Sequence, residues 1–217
     1  MTDKTAEEVA EVLLKSKAVI LRPQEPFRFT TGVLSPIYCD NRLLLSKVNE
    51  RERIVGYFVE KIKEKGLKAE VIAGIATASI TWATLIAEKL KKPMIYVRKE
   101  AKQHGMKNLI EGHLEKGMEV LVVEDLISTG STSLGAVTAV REAGAAANKC
   151  LAIFTYEMKV ATEGFKQLNC ELVTLSNFST LVKVAAEKGY VKKEELAVLI
   201  DWSTDPVGWG RKMRFEQ

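Results

Sequence analysis

From about residue 50 to 176 the chain alternates two kinds of apolar pattern. Short, nearly continuous apolar runs at Val71–Ile75, Met94–Val97, Val120–Val123, Leu151–Tyr156 and Leu172–Leu175 are rich in Val and Ile, as strands covered on both faces are. Between them apolar residues recur every three or four positions. Ile54, Val55, Phe58, Val59 and Ile62 form one such stripe, with Ser46 available as its N-terminal cap and Gly66 to end it. Ser79–Leu90, halted before Pro93, and Ser131–Ala143, ended by Gly144, read as two more helices. Alternating strand and helix predicts an α/β fold, a central parallel sheet flanked by helices.

Two regions lie outside that alternation. Residues 1–45 begin with a helical stretch, Ala6–Lys15, and continue into a segment rich in Pro, Thr and aromatic residues, a small N-terminal hood. Residues 178–202 predict two amphipathic helices split by Gly189, and the tail from Ser203 reads as irregular. The organisation expected is a single domain: hood 1–45, α/β core 46–176, C-terminal helices and tail 177–217. Residues 71–87 carry no charge over 17 positions, near the short limit of a membrane span. Gly74, Thr77, Ser79, Thr81 and Thr84 interrupt them and the period changes midway, so a buried strand running into a buried helix is the better reading.

Composition narrows the class. Hydrophobic residues make up 47% and charged residues 28%, enough apolar surface to offset the ordering of the chain. A net charge of +4 from 32 basic and 28 acidic residues does not mark a nucleic-acid protein. Cys39, Cys150 and Cys170 are odd in number and not spaced as C-x-x-C, which argues against a disulfide frame or zinc site and favours a reducing cytoplasm. The start, Met1-Thr2-Asp3-Lys4, shows no secretory signal, and no membrane association is expected.

The chemistry concentrates in Val120-Leu121-Val122-Val123-Glu124-Asp125-Leu126-Ile127-Ser128-Thr129-Gly130-Ser131-Thr132. A buried strand meets two adjacent carboxylates, then a Ser/Thr/Gly turn, then a helix. Open α/β sheets bind ligands at the carboxyl ends of their strands, where this turn falls. Backbone N–H groups and hydroxyls at a helix N-terminus suit a phosphate. The carboxylates would repel one, and vicinal ribose hydroxyls are their natural partners. A plain helix cap needs a single Ser or Asp, not this ordered set.

This run resembles the 5-phosphoribosyl diphosphate motif of type I phosphoribosyltransferases, in which the acids hold the ribose hydroxyls and the turn cradles the 5-phosphate. A second stretch, Arg98-Lys99-Glu100-Ala101-Lys102-Gln103-His104-Gly105, lacks a helical stripe and predicts a mobile surface loop. It leaves the sheet at Val97, beside the strand end carrying 124–132. Its R-K-x-x-K-x-H-G pattern is similar to the catalytic loop of orotate phosphoribosyltransferases. That resemblance makes Arg98, Lys102 and His104 candidate catalytic groups. Together with Lys99 they would neutralise a leaving pyrophosphate. A third stretch, Phe29–Asp40, resembles the same family's base-binding hood, with Ile37 and Tyr38 at the base. The turn at Ala76–Ile80 resembles its pyrophosphate-contacting loop.

The resemblance covers three motifs in order over roughly residues 27–135. It implies 5-phosphoribosyl diphosphate and orotate as substrates, Mg²⁺ carried by the diphosphate with no ligand from protein side chains, and a homodimer with shared active sites. Three positions depart from the family pattern. Thr30 stands where some members place Lys, Tyr156 where some carry an orotate-binding Arg, and Ser79 where many have Gly. Three other readings share parts of this evidence. One is a transferase for a purine or uracil, against which the K-x-H-G loop argues. Another is a non-catalytic 5-phosphoribosyl diphosphate-binding regulator, which would need a recognition helix that is not evident. The last is a structural α/β subunit, which leaves the ordered motifs unexplained.

Overall fold

The computed structural model describes residues 4–29, 32–99 and 109–213. Helix α1 (Lys4–Lys15) leads into four short strands, β1 (Val19–Leu21), β2 (Phe27–Arg28), β3 (Leu34–Ser35) and β4 (Ile37–Cys39). They pair antiparallel as β1 with β4 and β2 with β3, which makes the hood two small ribbons. A 3₁₀ turn at Asn41–Ser46 connects to α2 (Val48–Glu64), β5 (Val71–Ile75), α3 (Ala78–Leu90), β6 (Met94–Val97) and β7 (Ile110–Glu111). Then follow β8 (Glu119–Ile127), α4 (Ser131–Glu142), β9 (Ala146–Thr155), α5 (Lys159–Gln167), β10 (Glu171–Asn177), α6 (Phe178–Glu187), α7 (Leu196–Thr204) and α8 (Trp209–Lys212).

The main sheet runs β10-β9-β8-β5-β6-β7, parallel throughout except for β7, which pairs antiparallel with β6. The expected parallel sheet is present, with β7 as an antiparallel edge. β7 is the return limb of a ribbon and needs no crossover helix. β5 also lies between β6 and β8, so the 98–107 segment does not leave the sheet beside the 124–132 strand end.

Alternation of side chains across each strand builds a separate core on each face. On β8, Leu121 and Val123 join the core under α1, α2, α3, α6 and α7, while Val120 and Val122 join the one under α4 and α5. Both faces being covered, the strands read as continuous apolar runs.

Two further sequence expectations change, and one helix went unread. Ser46 does not cap α2; its hydroxyl donates to the Leu43 carbonyl at 3.2 Å, and Lys47 occupies the cap position. Helix α5, with only Ala161 and Phe165 buried, was too short a stripe to read from the sequence. The tail is not irregular: α7 reaches Thr204 and α8 seats a buried Trp209. Among the described residues no helix is long and apolar enough to cross a membrane.

Candidate active site at the ends of β5 and β8

A pocket of about 660 Å³ opens at the carboxyl ends of β5 and β8. That is ample for one nucleotide-sized ligand. Its floor comes from three segments: Ile75–Ala78 with Thr81, Glu124–Leu126, and Ser128–Ser133. Cys39, Asp40, Arg42 and Leu45 close it from the hood side, and Lys99 reaches it from beyond β6.

Two glycines shape the floor. Gly130, at φ +77°, holds the left-handed position at the start of α4, where no side chain caps the helix. The first amides of α4 therefore point into the pocket region without an intrahelical acceptor. Gly74 on β5 allows the first turn of α3 to lie on the strand; a Cβ there would stand 2.8 Å from the Ser79 carbonyl oxygen.

That close approach delivers Ser79, fully buried, to the acid pair. Its hydroxyl donates to Glu124 Oε1 and accepts from the Asp125 N–H at 3.0 Å. The Asp125 N–H is shared with Glu124 Oε1 at 3.1 Å, and the Ser133 hydroxyl donates to Glu124 Oε2 at 3.2 Å. Asn41 Nδ2 donates to the Asp125 carbonyl at 2.7 Å, tying the hood to the floor. Burial, reinforced by the neighbouring Asp125 charge, pushes Glu124 up to about 8, and the Ser79 hydrogen bond pulls the other way. Burial raises Asp125 as well. Two carboxyl groups this close and this enclosed do not both ionise readily.

On the hood side Asp40 accepts from the Arg42 N–H at 3.1 Å and grips its guanidinium through Nε at 2.6 Å and Nη2 at 2.8 Å. The Arg42 hydrogen bond holds the Asp40 carboxyl below its usual range. Burial pushes the Cys39 thiol well up, so the pocket offers no thiolate nucleophile there.

The candidates read from the sequence divide accordingly. Glu124, Asp125, Leu126, Ser128, Thr129, Gly130, Ser131 and Thr132 line the pocket. Ile127 does not; its side chain is fully buried under α4, and only its carbonyl is engaged, by the Tyr156 N–H at 3.0 Å. Lys99 lines the main pocket and an adjoining one of about 280 Å³, and Arg98 lines only the latter, 3.3 Å from Glu111 Oε1. Ile37 is buried in the core, and Tyr38 stacks on Phe27 at 5.5 Å instead of lining the pocket. Lys102, His104 and Thr30 lie outside the described residues. The residues flanking Lys102 and His104 do meet, since the Arg98 N–H donates to the Leu109 carbonyl at 2.7 Å.

Sequence reasoning reached Asp40 only as the end of the hood stretch and passed over Arg42 and Ser133. The Asp-x-Arg spacing was a usable signal, because an Asp side chain commonly bonds the backbone two residues on. Tyr156 does not line the pocket; it is buried beside Trp202 at 5.5 Å in an edge-on contact, with its hydroxyl near the Cys39 backbone. Among the described residues no group of three or more His, Cys, Asp or Glu is placed to hold a metal ion.

A parallel sheet with an acid pair at one strand end and an uncapped helix start beyond it belongs to a known class. The phosphoribosyl transferase domain family matches residues 45–184. The relatives narrow it. The orotate phosphoribosyltransferase of Coxiella burnetii is 45% identical over 94% of this chain and 98% of its own, and that of Listeria innocua is 48% identical over the same shares. The chain belongs to the orotate phosphoribosyltransferase family. Among solved structures, orotate phosphoribosyltransferase from Aeropyrum pernix superposes with a TM-score of 0.73 at 27% identity, covering 85% of this chain and 99% of that one.

Proposed function

We propose that the protein transfers the ribose 5-phosphate group of 5-phosphoribosyl diphosphate to orotate, releasing orotidine 5′-phosphate and pyrophosphate, a step of pyrimidine nucleotide synthesis. The observation that carries this reading is the single pocket that joins the Glu124–Asp125 strand end to the 128–133 helix start and to the hood.

In this reading the turn 128–132 takes the 5-phosphate through backbone amides and the Ser128 and Thr129 hydroxyls. The acid pair faces the ribose, Asp125 accepting hydrogen bonds from its hydroxyls. Ala76–Ala78 and Lys99 meet the diphosphate. The C1′–O bond breaks ahead of attack, its electron pair leaving on pyrophosphate, so positive charge grows on the ribose. The orotate ring nitrogen N1 supplies the pair for the new C1′–N1 bond, and its proton passes to the released pyrophosphate. Fixed cations at the leaving oxygens stabilise that separation of charge, a role assigned to Arg98, Lys99, Lys102 and His104. Mg²⁺ carried on the diphosphate supplies further charge there. The donor set fits this arrangement, because both oxygens of Glu124 are already engaged by protein hydroxyls. The enzyme works as a cytoplasmic homodimer in which the segment carrying Lys102 completes the partner's site. Three buried, unpaired cysteines suit a reducing compartment.

The test is to mix the protein with 5-phosphoribosyl diphosphate and Mg²⁺, offer bases singly and follow pyrophosphate. Release with orotate supports the proposal. Release only with uracil or a purine makes it a transferase for another base, and binding without release makes it a regulator.

A further inference from the structure

Glu124 stands apart from the rest of the pocket in having nearly all its hydrogen-bonding capacity consumed by the protein itself. It is only 7% exposed, one oxygen taken by Ser79 and the Asp125 N–H, the other by Ser133. Each of its two hydroxyl partners belongs to a different wall. Ser79 opens α3, immediately after the turn Ala76–Ala78, and Ser133 lies in the first turn of α4, immediately after 128–132. Ser79 does more than Ser133, because the same oxygen that donates to Glu124 accepts from the Asp125 backbone. One buried hydroxyl therefore sets both members of the acid pair, and Gly74 is the residue that lets it come so near.

We propose that Ser79 is a positioning residue for the binding of 5-phosphoribosyl diphosphate: by clamping the Glu124 carboxylate and the Asp125 backbone to the 76–78 turn, it makes the walls that meet the diphosphate and the ribose one rigid unit. The proposal rests on the assignment of this pocket to 5-phosphoribosyl diphosphate. A hydroxyl donated to a carboxylate favours its ionised form. Ser79 thus also opposes the burial that pushes Glu124 upward.

Binding is measured by calorimetry with 5-phosphoribosyl diphosphate and Mg²⁺, and steady-state kinetics are taken over a pH range. Ser79→Ala is expected to raise Kd and KM for 5-phosphoribosyl diphosphate by roughly tenfold, with KM for orotate changed less than about twofold. The acid limb of its kcat/KM profile should move to higher pH, because losing the hydroxyl makes Glu124 harder to ionise. In a Glu124→Ala background the same change should alter Kd by clearly less than it does in wild type, since one of the two groups Ser79 clamps is already gone. Ser79→Gly, which demands least of the buried site, should behave as Ser79→Ala does. An unchanged pH profile with a lower melting temperature would make Ser79 merely structural and overturn the proposal. So would an equal loss in both KM values, or the full Ser79 effect persisting without Glu124. Wild type failing to bind 5-phosphoribosyl diphosphate would remove the pocket assignment itself, and the proposal with it.

Discussion

The floor of the pocket and its hood are built by opposite means. The floor hangs on β5 and β8, central strands bonded on both sides and buried on both faces. Most of its polar groups, Glu124 to Ser133, lie close together along the chain, and Ser79 joins them from the end of the neighbouring strand. The hood rests on ribbons of two and three residues, too short to be stable alone. Distant residues hold it instead: Asn41 reaches the Asp125 carbonyl, Tyr156 backs the Cys39 backbone, and Gly210 lies against Leu34, where an added Cβ would come within 3.0 Å. A ladder fixed on both sides can keep two carboxyl groups buried side by side. A propped flap cannot, and its site groups, Asp40 and Arg42, neutralise each other at the surface instead. Floor substitutions should therefore act on 5-phosphoribosyl diphosphate, and damage to the props should act on the base.

The largest expected effect would break this two-part division by adding a third element. Lys102→Ala should lower turnover by about a hundredfold or more with the fold retained, because a cation aimed at the departing pyrophosphate acts mainly in the transition state. Unchanged turnover in a folded variant would refute that role. Mixing Lys102→Ala subunits with Asp125→Asn subunits then tests whether the partner supplies the cation. Random exchange makes about half the dimers mixed, each with one intact site, so activity should return toward about a quarter of wild type. A flat mixing curve with proven exchange would return the residue to its own subunit.

Next in size is the floor. Asp125→Asn should weaken 5-phosphoribosyl diphosphate by about tenfold or more in titration calorimetry, and Thr129→Val by about threefold, because backbone amides and the Ser128 hydroxyl still hold the phosphate. Orotate KM should barely move in either. Full affinity in Asp125→Asn would relocate the ribose.

The prop comes third. Gly210→Val forces side-chain carbons against Leu34, so it should raise KM for orotate by about fivefold while leaving that for 5-phosphoribosyl diphosphate within twofold, with a melting point lower by a few degrees. Equal changes in both constants would show that hood and floor move as one.

How much of this the sequence disclosed follows the same division. Strands β5, β6, β8, β9 and β10, and the whole 124–132 run, were legible because local periodicity and motif spacing encode them. The hood's pairing was not, since nothing near Leu34 announces Gly210 and nothing near Cys39 announces Tyr156. Tyr156 itself is instructive. It stands where some family members carry an orotate-binding Arg, yet the ring is buried against Trp202 and Phe154 behind the hood. Ser79 was noticed only as a departure, because its two partners become visible only when α3 is packed on Gly74. Ile127 was placed in the site by its motif position, but its side chain joins the core under α4, on the face of Val120 and Val122 and out of step with the alternation along β8.

The smallest effect concerns the floor alone and separates its two acids by pH. Glu124 is raised from 4.5 to about 8 on folding, so between those values the native chain binds more protons than the unfolded one. Stability contributed by a group raised in this way is fully present below its unfolded value and is lost as pH climbs through the folded one. The ligand-free protein should therefore lose stability from pH 6 to 8.5, by at most a few kcal/mol because Asp125 shares the burden. Carboxylates held low by cations, such as Asp40 and Glu11, stay ionised across this window and contribute no slope of their own. Glu124→Gln keeps the shape and an acceptor for Ser79 but cannot titrate, so its denaturant midpoint should vary less with pH than that of wild type. Burial raises Asp125 too, and Asp125→Asn should lower the Glu124 value by removing the nearby charge. Its stability loss should then be complete at a lower pH. Parallel curves for wild type and Glu124→Gln would mean that the buried carboxyl does not change its proton on unfolding, and the floor would lose the feature that distinguishes it from the hood.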